Sequence, residues 1–256
     1  MKVLVTFALE NEVAPWRAMR QFREEGFGAE KALVADVAGV QLNVVLTGVG
    51  RKRSSTVCDR IGSKWTDLDI CISAGLAGAL APRYRVGQVM VARTVTSALP
   101  TFDEGPGRLQ SDADLLRLAV DCGAEPVDRF YTAYAVAGTA EEKRALSAEA
   151  EIVEMESFDV MAEAQKRGLR SIAIRAVSDG ADQDLPLDMN RVFNGDGAVD
   201  VAAVLRQVAR RPASFPRVVR IARQSRLAAQ TLVHFLDGYI LALANQTEIV
   251  EARSAV

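Results

Sequence analysis

The sequence predicts an α/β fold: one domain with a mixed, twisted central β-sheet flanked by helices, followed by a helical C-terminal extension. Three observations predict it. Short apolar runs rich in Val and Ile recur at residues 3–7, 40–46, 70–73, 88–95 and 171–177, and runs of this length read as buried strands. Helical patterns lie between them, at residues 12–25, 54–64, 112–122, 140–147 and 157–167. Gly168 then stands between the last helix and the last strand, a common helix stop. Alternation of this kind implies βαβ units and a mostly parallel or mixed sheet.

The bulk numbers set bounds. A chain of 256 residues, 49% hydrophobic and 25% charged, is an ordinary globular protein able to bury a substantial core. Its net charge of −2 argues against a nucleic-acid binder, which needs a basic face. Cys58, Cys71 and Cys122 are odd in number and lack CxxC spacing. A disulfide framework is not expected, and a reducing, cytoplasmic setting is. With His234 the only histidine, no zinc site is expected. The opening residues 1–8 read as a first strand rather than a signal peptide. No run of eighteen apolar residues predicts a membrane span.

Charge divides the chain at about residue 200. Residues 201–256 carry eight arginines against three acids, a net of +5, which leaves −7 on residues 1–200. We therefore expect two parts: an α/β domain over 1–200 and a basic amphipathic helical extension over 201–256. Arg217, Arg220 and Arg223 lie three apart, on one helical stripe. Such a stripe is either a solvated face or a surface for an anionic membrane.

Chemistry is suggested by acids placed at or just beyond strand ends, where open α/β sheets bind ligands. Glu10 and Glu12 follow the first strand, Glu154 and Glu156 lie midway, and Asp179 follows Ser178 at the end of the last strand. Glu154 and Glu156 flank Met155 and, in an extended segment, point to opposite faces, so they are not expected to pair. One of them can then accept hydrogen bonds from vicinal hydroxyls. Asp179, in a partly dry site, can be held protonated as a general acid; the alternative is an ordinary helix N-cap. Thr47-Gly48-Val49-Gly50 reads as a βα turn whose glycines let backbone N–H groups approach an anion or a sugar. Arg51, Lys52 and Arg53 come next, making an anion site plausible. Residues 73–80, including Ser73, Gly75, Leu76 and Ala77, read as a small-residue loop able to approach a flat ligand.

Taken in order, these segments resemble the nucleoside phosphorylase/nucleosidase superfamily, in particular the branch of methylthioadenosine/S-adenosylhomocysteine nucleosidase. The resemblance spans residues 1–182. It rests on Ala8-Leu9-Glu10-Asn11-Glu12-Val13, on Thr47–Gly50, on residues 73–80, and above all on Val153-Glu154-Met155-Glu156 and Arg175-Ala176-Val177-Ser178-Asp179. It implies the following roles. Asp179 donates a proton to purine N7, and Ser178 orients it. Glu156 binds the ribose hydroxyls while Met155 packs on the sugar. Glu12 is the base for an attacking water. Thr47, Gly48, Gly50, Arg51, Ser73, Gly75, Leu76 and Ala77 line the substrate. No cofactor is implied, although phosphate is possible as a co-substrate, and a homo-oligomer, most simply a dimer, is expected.

Departures from the pattern narrow the branch. Ser73 and Leu76 stand where phosphorylases of the hexameric branch bring an Arg and a Ser to phosphate. The segment 100–106 looks shortened, and residues 137–143 replace the usual purine-contacting stretch. Residues 140–146, the Arg211-Pro212 step and the basic tail look like the hopanoid-associated phosphorylase-like proteins. That likeness implies adenine release from adenosylhopane, with peripheral membrane contact through the tail. Two rival readings stand beside it: a phosphate-dependent purine nucleoside phosphorylase, and a non-catalytic nucleoside-binding module. A Rossmann dehydrogenase is disfavoured because no G-x-G-x-x-G follows the first strand.

Overall fold

The computed structural model describes residues 1–27, 30–64, 66–100, 106–194 and 199–254. The strands are β1 (Lys2–Phe7), β2 (Arg23–Phe27), β3 (Glu30–Val37), β4 (Val40–Leu46), β5 (Ile70–Ala79), β6 (Val89–Pro100), β7 (Pro106–Gln110), β8 (Glu125–Thr132), β9 (Ile152–Glu154) and β10 (Arg170–Asp179). The helices are α1 (Glu10–Met19), α2 (Arg51–Lys64), α3 (Ala113–Asp121), α4 (Ala140–Leu146), α5 (Ser157–Lys166), α6 (Val201–Arg210) and α7 (Phe215–Ser254). The mixed sheet and its flanking helices are those the sequence predicts.

The sheet also closes on itself. β5 pairs with β10, β10 with β6, β6 with β8, β8 with β9, and β9 returns to β5. β1 lies outside this five-strand ring, between β5 and β4. The long strand β5 serves both parts. Its first half, residues 70–73, is bonded to β1, and its end, Gly78 and Ala79, to β9. Residues 73–80, expected as a loop, are therefore mostly strand. Small residues in a tightly wrapped strand read like loop residues, because both must let another chain segment approach closely.

The helix expected over 12–25 ends at Met19, and β2 begins at Arg23. Hairpin pairing of residues 23–27 with β3 overrides the helical pattern there.

Helix α7 belongs to the main core. Ala228, Leu232, Val233, Leu236, Ile240 and Leu243 form a buried stripe at helical spacing, and they share one apolar cluster with residues of β1, β4, β5 and β10. Asp237 accepts from Trp16 Nε1 at 2.9 Å and Arg20 Nε at 2.8 Å, fastening α7 to α1 and the residue that follows it. The change of charge near residue 200 is thus not a division of the core. Pro212–Gln246 is long and apolar enough to cross a membrane, but half of its most apolar stretch is buried inside the protein.

Candidate active site

The site forms where β1 leaves β5. Between Ser73, where β1 ends its pairing, and Gly78, where β9 begins, that edge of β5 has no strand partner, and the carboxylate of Glu12 takes the place. Glu12 Oε1 accepts from Leu76 N at 3.0 Å, and Oε2 accepts from Ala8 N at 3.0 Å and Leu9 N at 2.9 Å. It sits in the first turn of α1, where the helix dipole favours an anion. Burial nevertheless raises its pKa, against the lowering effect of these N–H groups and of Arg175. Gly75 makes the approach possible, since a Cβ there would lie 3.3 Å from Glu12 Oε1 and 3.6 Å from Arg175 Cζ.

Arg175 is the centre of the arrangement. It is 1% exposed, and an unpaired buried guanidinium would be very costly. Its Nη2 donates to Glu154 Oε2 at 2.7 Å and to Ser73 Oγ at 3.2 Å, and its Nη1 donates to Ser73 O at 2.8 Å. Glu156 Oε2 lies 3.9 Å from Nη2. Arg175 Nε is buried and has no acceptor among the described residues.

Glu154 and Glu156 thus converge on one arginine, contrary to the opposite-face expectation. The strand ends at Glu154 and the chain turns into α5 with Glu156 as its N-terminal flanking residue, so period-two alternation does not apply. Glu154 is anchored by Glu156 N at 2.9 Å, Ser157 N at 2.7 Å and the hydroxyl of Thr132. Every oxygen is engaged by protein. Glu156 Oε1 accepts from Gly50 N at 3.0 Å. Burial, then the charge of Glu154, pushes Glu156 up to about 8, with Arg175 opposing. Met155 beside it is half-buried.

The Thr47–Gly50 turn places that N–H group. Thr47 bonds back to Phe7 O, and Gly48 and Gly50 adopt φ of 75° and 96°, which favour glycine. A cavity of about 450 Å³ opens beside Val49 and Gly50, with Tyr134 on its wall. Arg51, expected to serve an anion, is engaged elsewhere. It forms a two-pronged pair with Asp159 at 2.7 and 3.1 Å, reaches Ser97, and lies over the rings of Tyr134 and Phe158. Its guanidinium joins α2 to α5, while the residue still lines that cavity.

Asp179 sits at the end of β10. A bulge at Ser178, between Val177 opposite Ala77 and Asp179 opposite Gly78, redirects it. Ser178 Oγ donates to Asp179 Oδ1 at 2.6 Å or to Ala77 O at 3.1 Å. The carboxyl expected in a dry site meets a cation there: Asp179 Oδ2 contacts the Nζ of Lys143, which is 1% exposed.

Comparison with known proteins decides the family. The sequence profile of the phosphorylase superfamily matches residues 2–210. The chain belongs to the phosphorylase superfamily. No curated protein sequence matches it. Among solved structures, this superfamily member is similar to futalosine hydrolase of Helicobacter pylori, with 18% identity, TM-score 0.71 and coverage of 94% of this chain and 97% of that one. It is also similar to the 5'-methylthioadenosine/S-adenosylhomocysteine nucleosidase of Neisseria meningitidis, with 21% identity, TM-score 0.70 and coverage of 94% and 99%. The corresponding Campylobacter jejuni nucleosidase gives 14%, 0.72, 94% and 99%. The superfamily fold extends beyond the profile match to include α7.

Of the expected site residues, Glu12, Ser73, Gly75 and Glu156 gather around Arg175, with Gly50 bonded to Glu156, while Ser178 and Asp179 lie farther along the same strand. Segment 101–105, expected as a shortened rim, lies outside the described residues. Arg175, Glu154 and Lys143 are the functional candidates the sequence reading left without a role. For Arg175 a signal existed: a charged residue inside the apolar run Ile174-Arg175-Ala176-Val177 demands a buried partner. Lys143 gives no such signal in its mixed-charge helix.

Proposed function

We propose that this chain is a nucleosidase that hydrolyses the N-glycosidic bond of adenine nucleosides. The observation that carries the reading is the Glu12–Arg175 pair. Glu12 is a fixed, buried acceptor whose pKa burial raises, which makes it a stronger base than a free carboxylate. Beside it, Arg175 Nε is a buried donor without a protein acceptor. Together they suit a water held for attack on the sugar's anomeric carbon. Glu156 accepts from the ribose hydroxyls and Met155 packs on the sugar. The Asp179 end, with Ser178, serves the departing base. Protonation makes the base a better leaving group, and the carboxylates favour an oxocarbenium-like transition state. Arg51, held by Asp159, leaves a phosphate nucleophile poorly supported. The names of the similar structures, a futalosine hydrolase and methylthioadenosine nucleosidases, agree with hydrolysis.

For the 5′ substituent we propose a large apolar group, as in adenosylhopane, on the likeness of residues 140–146 and the tail. Exposed Val201, Leu205 and Phe215, with Arg206, Arg210 and Arg217 nearby, suit contact with an anionic lipid surface. We propose a homodimer as the working form.

The test is free-base release from adenosine, 5'-methylthioadenosine and adenosylhopane, with and without phosphate. Base release without phosphate is expected. Release that requires phosphate and yields ribose 1-phosphate makes the chain a phosphorylase. Asp179→Asn should abolish release while sparing nucleoside binding. Binding without release by the unaltered chain identifies a non-catalytic module.

A further inference from the structure

Lys143 is a buried cation that the reaction described above does not use. Its three ammonium hydrogens meet three acceptors: Asp179 Oδ2, Gly180 O at 2.9 Å and Gln183 O at 3.0 Å. The local fold secures it there. Helix α4 is capped by Thr139 and Glu142, Ala140 N donates to Asp184 Oδ1 at 2.8 Å, and Leu185 N to Gly138 O at 2.7 Å. Helix α4 and the loop after β10 therefore move as one. Gly78 lets the pair lie against β5, because a Cβ there would stand 3.2 Å from Asp179 Oδ2 and 3.6 Å from Lys143 Cε.

This geometry has a chemical consequence. In this contact Lys143 is the donor and Asp179 Oδ2 the acceptor, so the proton the pair shares sits on the lysine. Of the carboxyl's two oxygens, Oδ1 accepts from the Ser178 hydroxyl and Oδ2 from the Lys143 ammonium, the stronger acid of the two donors. We propose that Lys143 is the proton store of the base-leaving step, acting on the base through Asp179. This inference rests on the nucleosidase reading. As the C1′–N9 bond breaks, its electron pair goes to the base. N7 takes a proton from Asp179 Oδ2 as Lys143 passes one to the same carboxyl. Lys143 ends as a neutral amine and Asp179 again as a carboxylate. Water adds to C1′ and gives its proton to Glu12. One proton then returns from Glu12 to Lys143 through solvent, and the enzyme is restored with nucleoside and water converted to sugar and free base.

The experiment is the pH profile of adenine release from adenosine and 5'-methylthioadenosine by the full chain and two variants. Lys143→Met leaves Asp179 to retain its own proton. Its alkaline limb should move down by about two pH units or more, so that release falls about 100-fold at mildly alkaline pH and only a few-fold in acid. Lys143→Arg keeps the charge but does not give up a proton in this range. It should lose turnover about 100-fold at every pH, with KM little changed. A Met variant whose limb overlays that of the unaltered chain, with only its height reduced, overturns the proposal and leaves Lys143 a structural ion-pair partner. So does an Arg variant with full turnover. If the unaltered chain releases no base from any nucleoside, the nucleosidase reading itself fails, and this inference with it.

Discussion

Arg175 and Glu154 form a 2.7 Å ion pair with side chains 1% and 0% exposed. The pair joins the end of β9 to the middle of β10, and Ser73 of β5 completes it. It holds Glu156 and Glu12 at a common guanidinium, so it is the frame on which the site's two exchangeable acids are mounted.

Breaking this pair should destabilise the chain. Glu154→Gln leaves a buried guanidinium without its charge partner, and removing one partner of a buried pair costs about 3–5 kcal/mol. Urea unfolding should show that loss as a lower midpoint. A change below about 1 kcal/mol would mean that the pair is worth no more than a surface contact.

The stability of the protein should fall with rising pH through Glu156. Its carboxyl is pushed from the ordinary 4.5 up to about 8. Above 4.5 the unfolded chain gives up this proton while the folded chain keeps it. The contribution is therefore complete below pH 4.5 and declines as pH rises toward about 8. Glu156→Gln should flatten that decline, read from denaturation midpoints across the same range. An unaltered slope would place the titrating group elsewhere. The same variant should raise KM for nucleosides about tenfold or more, since an amide NH2 replaces one of the two oxygens available to the ribose hydroxyls.

Glu12→Gln should separate chemistry from binding. The amide keeps the shape but cannot take a proton from water, so kcat should drop about 100- to 10,000-fold, with nucleoside affinity largely retained. Equal loss of binding and turnover would instead make Glu12 a substrate contact.

Much of this was legible in the chain. The apolar runs at 3–7, 40–46 and 171–177 carry enough β-branched residues to be read as strands, and the acids at their ends mark the crevice. Local pattern failed where distant partners decide. Residues 73–80 look like a loop because nothing in their composition reveals that β9 and β10 wrap them into a strand. The convergence of Glu154 and Glu156 depends on where β9 ends, which the alternation of acids does not show. The engagement of Arg51 was hidden for the same reason: its partner Asp159 lies 108 residues away. The contact of Lys143 with Asp179 spans 36 residues and is equally invisible to local pattern.

The ring of strands has one more consequence. At residues 174–176 β10 is bonded along both edges, to β5 and to β6. A one-residue slip would turn its side chains to the opposite face and break two ladders at once. On the proposed reading, Arg175 on the sugar side and Asp179 on the base side are the jaws of a calliper whose opening the two ladders fix. A nucleoside would then be gauged by the span from its ribose hydroxyls to its imidazole nitrogen, with tolerance for different substituents left to the loops around the mouth.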